Sequence, residues 1–395
     1  MQGIEKVNFK GKKVLIRVDF NVPLNQNQEI VDDTRIRESL PTIRKVIDDG
    51  GSAILMTHLG RPKGHEPSFS LMPIAIHLTK MFNKNVVFDR ELFGPRSKDV
   101  LSNLEPGSIA LLENLRFYPE EELADETFAK NLSELADIYI NDAFGTAHRE
   151  HASTATIAKY FKKNKYAGLL LEDEINNLNK ALNADKRPFT AIIGGAKVST
   201  KIDVIKNLIN KVDNIIIAGG MSFTFIKALG GNVGDSIYEE DKINIAKDAI
   251  SEMMRKGVNV YLPVDAVIAD RFSNEAEIGY CEADNIPAKW MGLDIGQRSV
   301  RRFAEIVNSS ETILWNGPLG VFEFEKFKQG TKSMAISVAS ATIRGAYSLI
   351  GGGDSVAAIN RYNLADQVSY VSTGGGAMLE YLEGKELPAI KALNK

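Results

Sequence analysis

The sequence predicts an α/β protein built from two doubly wound parallel-sheet domains, Rossmann-like in pattern, joined by a helical connector and a hinge. Three observations carry that expectation. Short, continuously apolar β-rich runs alternate with amphipathic segments along the whole chain, the pattern of a parallel sheet covered on both faces. The alternation comes as two series. A length of 395 residues exceeds what one ordinary core takes in.

In the first series the strands are expected at residues 14–20, 53–58, 86–89, 109–113, 138–141 and 166–171. In the second they are expected at 190–194, 214–218, 259–264, 312–316, 348–351 and 369–373. Between them, segments such as 125–136, 201–210 and 242–256 place apolar residues at three- and four-residue intervals and read as helices. The run LLLEDEINNLNKALN (169–183) is also helical, and Pro188 breaks the pattern before the next strand. The expected domains are therefore residues 1–170 and 186–376, with the connector at 171–185 and a C-terminal segment at 377–395. WNGPLG (315–320) combines proline and glycine and is the expected hinge.

Hydrophobic residues make up 44% and charged residues 25%, a globular composition, and no apolar run is long enough to span a bilayer. The opening MQGIEKVNFKGKK lacks the apolar core of a signal peptide. The single cysteine, Cys281, permits no internal disulfide, so a reducing cytosol is the expected compartment; with Tyr280 and Glu282 beside it and no histidine near, it reads as a packing residue. A net charge of −3 argues against a nucleic-acid partner.

The most informative stretch is YSLIGGGDS (347–355), where an apolar strand runs into three glycines, a carboxylate and a hydroxyl. Unshielded N–H groups there cradle phosphate, and Asp354 is placed to hold a divalent cation on the same phosphates. Alone, GGG is equally a tight strand-to-helix turn; the other strand ends add weight, because ligands of open parallel sheets bind beyond the carboxyl ends of the strands. In the first half those ends carry Asp19, Asn21, His58, Arg61, Asn114, Arg116, Asp142 and Arg149, with Arg35 nearby. A single arginine is ordinarily a solvated surface charge, but a convergent set repels itself and suits a small phosphorylated acid. His58 reads either as part of that pocket or as a buried histidine satisfied by backbone carbonyls.

In the second half the strand ends are rich in glycine. IIGGAKVSTK places Lys197 after a glycine turn, where it can neutralise a transferring phosphoryl group. Lys201 reads either as a contact to another phosphate or as a surface lysine. STGGG (372–376) precedes a helical run at 377–382, so its free N–H groups and the helix dipole would face an anion, unless it is a plain cap. Glu323 is a candidate acceptor for ribose hydroxyls.

Taken together, RVDFNVP (17–23), HLGRP (58–62), ENLRF (113–117), NDAFGTAHR (141–149), GGAKV (194–198), MGLDIG (291–296), WNGPLGVFE (315–323), GGGDS (351–355) and STGGG (372–376) resemble phosphoglycerate kinases over nearly the full chain and in the family's order. The resemblance implies reversible phosphoryl transfer from 1,3-bisphosphoglycerate to ADP, giving 3-phosphoglycerate and Mg-ATP, by a monomer. It implies that Asp19, Phe20, Asn21, Arg35, His58, Leu59, Gly60, Arg61, Arg116 and Arg149 contact the phosphoglycerate. Lys201, Gly292, Glu323, Gly352, Gly353, Asp354 and Ser355 would contact the nucleotide, with Asp354 on magnesium. Arg35, Lys197, Gly374 and Gly375, with the amide of Gly376, would stabilise the moving phosphoryl group. It further implies that the C-terminal tail returns to the N-terminal domain. The chain departs from many family members at Thr200, where they carry Asp, which leaves the network around the lysines open.

The nucleophiles of such a transfer are already anionic, so no general base is needed, and alignment, electrostatics and closure of the two domains would supply catalysis. A dinucleotide-dependent oxidoreductase is disfavoured because no GxGxxG follows an early strand. A clamshell binding protein without transfer leaves the glycine–lysine and GGGDS sites without a purpose. There is no GxxxxGK[ST] P-loop, and DAFG and HRE stand in the wrong order for a protein kinase.

Overall fold

The apolar runs of the first half become strands β1 (Lys13–Arg17), β2 (Ser52–Met56), β3 (Val86–Asp89), β4 (Ile109–Leu112), β5 (Ile138–Asn141) and β6 (Lys165–Ala167). The computed structural model describes every residue from Met1 to Lys395 and divides into two units. The first, Met1–Ile175 with Glu386–Lys395, holds these strands in one six-stranded sheet of order β3-β4-β2-β1-β5-β6. All its pairings are parallel. β1, β2, β4 and β5 are buried at almost every position, as expected of a sheet covered on both faces. Their side chains form a core with Phe9, Ile36, Ile43, Leu71 and Leu78 from the flanking segments.

The second unit, Asn176–Lys385, contains β7 (Phe189–Ile193), β8 (Asn214–Ile217), β9 (Asn232–Val233), β10 (Asn259–Tyr261), β11 (Asp265–Ala269), β12 (Ile278–Glu282), β13 (Asn285–Ile286), β14 (Met291–Ile295), β15 (Thr312–Asn316), β16 (Tyr347–Gly351) and β17 (Tyr370–Val371). Six of them form a parallel sheet of order β10-β8-β7-β15-β16-β17 around a core that includes Trp315 and Phe303. The expected mixed α/β fold with two parallel sheets is thus present.

One part of the second unit departs from the expectation. The strand expected at 259–264 stops at Tyr261, and the chain then builds a three-stranded antiparallel sheet, β12-β11-β14. MGLDIG is therefore largely strand β14. A search for continuously apolar runs passes over β12, IGYCE, because it is an edge strand whose residues alternate between exposed and half-buried. Cys281 lies there, half-buried, against the Phe223–Ile268 cluster.

Helix Leu169–Leu182 carries the chain from one unit into the next. Within the second unit, helix Gly376–Leu382 packs on Ile202–Leu208, and Asn207 Nδ2 donates to the Leu382 carbonyl at 2.7 Å. The last helix, Pro388–Asn394, belongs to the first unit, where Ala389 N donates to the Ala147 carbonyl at 3.1 Å.

The tightest approach in the second sheet joins the ends of β7 and β15. Gly194 N donates to Asn316 O at 2.9 Å and Gly195 N to Pro318 O at 3.0 Å. A Cβ on Gly194 would fall 2.1 Å from the Pro318 oxygen and 2.6 Å from that of Gly317, both backbone atoms. Gly194→Ala must therefore push two main chains apart. It is expected to lower stability by about 1–3 kcal/mol in urea unfolding; an unchanged midpoint would show that the two turns are not locked together.

Candidate active site

In the first unit the sequence-predicted residues gather beyond the carboxyl ends of β1, β2, β4 and β5. The chain leaves β1 at Arg17 and places Asp19 two residues on, buried, where its Oδ2 lies 3.0 Å from Nη1 of Arg35. Arg35 comes from the first turn of helix Thr34–Asp48. Asn21 accepts a hydrogen bond from Gly60 N through Oδ1 at 2.9 Å, and Arg116 donates to the Gly60 carbonyl at 2.6 Å. The turn HLGRP is thus held from both sides. Phe20 and Leu59 are buried side chains, so what they can offer a ligand is backbone. Arg61 stands exposed and Arg149 half-buried.

The guanidinium groups form one electrostatic cluster. Burial, then the positive charges of Arg17, Arg116, Arg149 and Arg35, hold the His58 imidazole well below its usual range. Burial also lowers Arg116, and Arg149, Arg17 and Arg61 push it in the same direction, while Glu122 opposes them from 3.3 Å. The arginine charges that add to burial in suppressing protonation of this imidazole mark a locally positive potential. His58 is not satisfied by backbone carbonyls: its Nδ1 lies 3.3 Å from Nη2 of Arg17 and 3.9 Å from Oδ1 of Asp19.

Sequence reasoning missed two supports of this site, Arg17 and Glu113, and named a third, Asn114, only as a strand-end residue. Arg17, within the RVDFNVP run, is nearly fully buried at 1% exposure, a signal that a charged residue ending an apolar strand gives only weakly. Asn114 bridges turns, accepting from Leu59 N and Arg116 N and donating to the carbonyls of Leu59 and Phe69. Glu113 accepts from Leu71 N, Asn114 N and the Ser70 hydroxyl, each at 2.8 Å.

In the second unit a cavity of about 710 Å³ opens beside the carboxyl ends of β7, β8 and β15. Its walls are mostly apolar, with Phe223, Ile237, Phe272, Met291, Leu293 and Phe324 among them. Glycine backbone at Gly195, Gly219, Gly220, Gly292 and Gly320 lines the rest, together with Asp235, Asp294, Glu323 and Asp354. Of the predicted nucleotide residues, Gly292, Glu323 and Asp354 line this cavity. Lys201, Gly352, Gly353, Ser355, Lys197, Gly374 and Gly375 are not on its wall.

The glycine turn after β16 has its reason in geometry. Gly352 has φ +93°, a conformation that favours glycine, and it starts helix Gly353–Arg361 with Asp354 in the first turn. Ser355 is buried and accepts from Gly317 N at 2.6 Å, so its hydroxyl holds the WNGPLG turn. Lys201 Nζ donates to both oxygens of Asn316, whose Nδ2 donates to Gly351 O at 2.8 Å. Burial lowers Lys201 to about 8, against the pull of Asp354. Lys197 stands exposed, and Gly375, at φ +50°, begins helix Gly376–Leu382. Around Thr200, its hydroxyl donates to Lys197 O at 2.9 Å, while Glu239 accepts from Ser199 N and Oγ. The loop carrying both lysines is anchored there through Ser199 and Glu239.

Comparison with known proteins gives one answer. The sequence profile of the family described as phosphoglycerate kinase matches residues 4–385. The phosphoglycerate kinase of Porphyromonas gingivalis is 51% identical, covering 99% of each chain. Cytosolic phosphoglycerate kinase 3 of Arabidopsis thaliana is 49% identical over 99% of this chain and 98% of its own. The solved phosphoglycerate kinase of Coxiella burnetii superposes with a TM-score of 0.90 at 42% identity, covering 99% and 98%.

Asp294, also missed from sequence, ties β14 to helix Gln329–Ile343: its Oδ2 accepts from Gly330 N at 2.8 Å and its Oδ1 from Ile295 N at 2.9 Å. Burial pushes its carboxyl up to about 7 from 3.8, opposed by the N–H groups of Gly330, Ile295 and Gln329. Between those two values the folded chain binds a proton that the unfolded chain releases. Stability is therefore highest at low pH and falls as pH rises toward 7, by up to roughly 4 kcal/mol for this group. Asp294→Asn is expected to flatten that slope in urea unfolding series between pH 4 and 8; an identical slope in the variant would show that Asp294 ionises normally.

Proposed function

The chain belongs to the phosphoglycerate kinase family, and from that premise we propose how its two units divide the reaction. The reaction is the glycolytic one, reversible phosphoryl transfer from 1,3-bisphosphoglycerate to ADP, giving 3-phosphoglycerate and ATP. The observation that carries the division is the contrast between the two sets of strand ends, guanidinium-rich in one unit and glycine-rich beside an apolar cavity in the other.

The first unit takes the phosphoglycerate. Arg61, Arg116 and Arg149 with His58 bind its phosphate and carboxylate, and the backbone of Phe20, Leu59 and Gly60 shapes the floor. Asp19 and Asn21 orient Arg35 and the HLGRP turn, an arrangement supported by the Arg35–Asp19 ion pair and the Asn21–Gly60 hydrogen bond. Arg35, 37% exposed, remains free to turn one edge of its guanidinium toward the migrating group.

The second unit takes the nucleotide. The apolar slot near Phe223, Met291 and Leu293 accepts the base, Gly292 allows close approach and Glu323 meets the ribose. The N-terminus of helix Gly353–Arg361, with Gly352 and Gly353, faces the phosphates, and Ser355 supports it from below. Lys201 and Lys197 neutralise phosphate charge, and Gly374 and Gly375 offer N–H groups to the moving phosphoryl. Magnesium in such sites is held by one or two carboxylates plus substrate phosphates. No cluster of three or more His, Cys, Asp or Glu exists, whereas Asp354 presents one exposed carboxylate at a helix start, so the residues fit a phosphate-borne ion held by Asp354. When bound, that ion would supply charge neutralisation to the nucleotide phosphates.

In the forward direction the bond between phosphorus and the acyl oxygen breaks as one forms to an ADP β-phosphate oxygen. The leaving carboxylate takes the electron pair, and no proton moves. The protein's task is in-line alignment and charge stabilisation. With the two substrates on separate units, transfer requires the units to close about the connector helix and the WNGPLG turn, excluding water. No helix is long and apolar enough to cross a membrane. With a cytosolic relative in Arabidopsis, this supports a cytoplasmic enzyme, and we place it there as a monomer.

A coupled assay tests the reading directly: the protein should form 1,3-bisphosphoglycerate from 3-phosphoglycerate and ATP and reduce no nicotinamide by itself. Arg35→Ala should lower kcat by on the order of a hundredfold or more with little change in nucleotide KM; near-normal turnover would remove Arg35 from the transition state. Small-angle scattering should report a monomer mass and a smaller radius of gyration with both ligands than with either. Unchanged dimensions in the ternary complex would exclude closure.

A further inference from the structure

Arg17 is a buried guanidinium with no carboxylate within ion-pair distance. A cation so far removed from water is costly unless countercharge reaches it. Its Nη1 donates to the Val18 carbonyl, its Nε donates to Ser153 Oγ at 2.8 Å, and its Nη2 lies 3.3 Å from His58 Nδ1. Behind Ser153 stands Glu121, fully buried in the short helix Pro119–Glu122, a residue the substrate site does not use directly. Glu121 Oε1 accepts from Ser153 Oγ at 2.5 Å and Oε2 accepts from Ser153 N at 2.9 Å.

We propose that Glu121 is a positioning residue for the phosphoglycerate site: through Ser153 it fixes Arg17, and Arg17 in turn holds His58 as the neutral tautomer with its proton on Nε2.

Donor inventory dictates the direction of each bond. Arginine has only donors, so Ser153 Oγ accepts from Arg17 and its single proton goes to Glu121. Both Glu121 oxygens then act as acceptors, the pattern of a carboxylate. Burial pushes the Glu121 carboxyl up, and Arg17 with the two Ser153 donors pulls it back. Arg116 adds a further lowering charge, the Tyr139 phenol also faces this carboxylate, and His151 Nδ1 is 4.0 Å from Oε1. Burial and the surrounding arginines lower His151 to about 4, so it brings no positive charge at neutral pH. By the same inventory, Nδ1 of His58 must accept from Arg17, which places the ring proton on Nε2 and leaves that atom as the donor. Asp19 Oδ1, 3.9 Å from the same Nδ1, is the second carboxylate near the ring. Arg17 therefore forms an ion pair with neither carboxylate: Ser153 stands between it and Glu121, and its Nη2 is turned to the His58 ring. This geometry fixes it without forming the direct ion pair that would neutralise its field at the substrate.

The proposal rests on the assignment of this site to phosphoglycerate, but its first test does not. In 15N NMR of the free wild-type protein, His58 should show an unprotonated Nδ1 and a protonated Nε2 throughout roughly pH 5 to 8. Arg17, Asp19, Arg35, Arg116 and Arg149 are the charged groups facing the ring, and the hydrogen-bonded path from it to Glu121 runs through Arg17 and Ser153. Glu121→Gln removes the countercharge, and Ser153→Ala keeps both charges but cuts the link. In each, the His58 ring signals should shift toward a mixture of tautomers. The KM for 3-phosphoglycerate should rise about 10- to 100-fold, the span typical for a partner behind a ligating group, with the nucleotide KM within about twofold. If Glu121→Gln does not fold, Ser153→Ala decides alone. A proton on Nδ1 in the wild type, or unchanged ring signals in the folded variants, would overturn the relay. Shifted ring signals with an unmoved 3-phosphoglycerate KM would uphold the relay and overturn the substrate assignment.

Discussion

The structure depends on one constraint: each six-stranded sheet is wholly parallel, so every one of its strands ends at the same edge. Residues far apart in sequence are delivered to one place because each follows the last residue of a strand. Asp19, His58, Asn114 and Asp142 are all loop residues one or two places past β1, β2, β4 and β5. The same edge of the second sheet collects Gly194, Ala218, Gly317 and Gly352, placed likewise after β7, β8, β15 and β16. Chemistry is concentrated at those edges, and the strands between them are almost wholly apolar.

The two edges solve different electrostatic problems. In the first unit, arginines crowd a buried imidazole, and their mutual repulsion is tolerable because carboxylates are set among and behind them: Asp19 on Arg35, Glu122 on Arg116, and Glu121 through Ser153 on Arg17. Arg61 and Arg149 form no ion pair with a carboxylate, so the cluster keeps an excess of positive charge. In the second unit the problem is steric. Backbone segments come close to one another there, and the turns that permit it are held by side chains placed beneath them, Asn316 under Gly351, Ser355 under Gly317 and Asp294 under Gly330. The cavity beside these turns is lined mostly by apolar side chains and glycine backbone.

These supports explain why rigid turns can be built from flexible residues. Gly352 and Gly317 adopt conformations that cost other residues strain, yet each lies within reach of a buried amide or hydroxyl. Lys201 is tied to both oxygens of Asn316, so the same asparagine orders the Lys197–Lys201 loop and the glycine turn next to it. The Ser199–Glu239 pair anchors that loop next to Thr200.

The sequence by itself determined the two parallel sheets, the helical connector and the family, because apolar runs of strand length and glycine- or arginine-bearing strand ends are local signals. The convergence of Arg35, His58, Arg61, Arg116 and Arg149 was legible as well, since a parallel sheet leaves strand ends no other place to go. The antiparallel sheet β12-β11-β14 was not legible, because its edge strand is half-exposed and lacks the continuous apolarity that marks a buried one. Only the tertiary structure decided that Ser355 supports a turn, that Asp294 clamps β14 to a helix, and that Arg17, Ser153 and Glu121 form a line behind His58. Each of those roles depends on burial and on a partner that is distant in the chain, 136 positions away for Arg17 and Ser153. Neither a residue's type nor its neighbours carries that information.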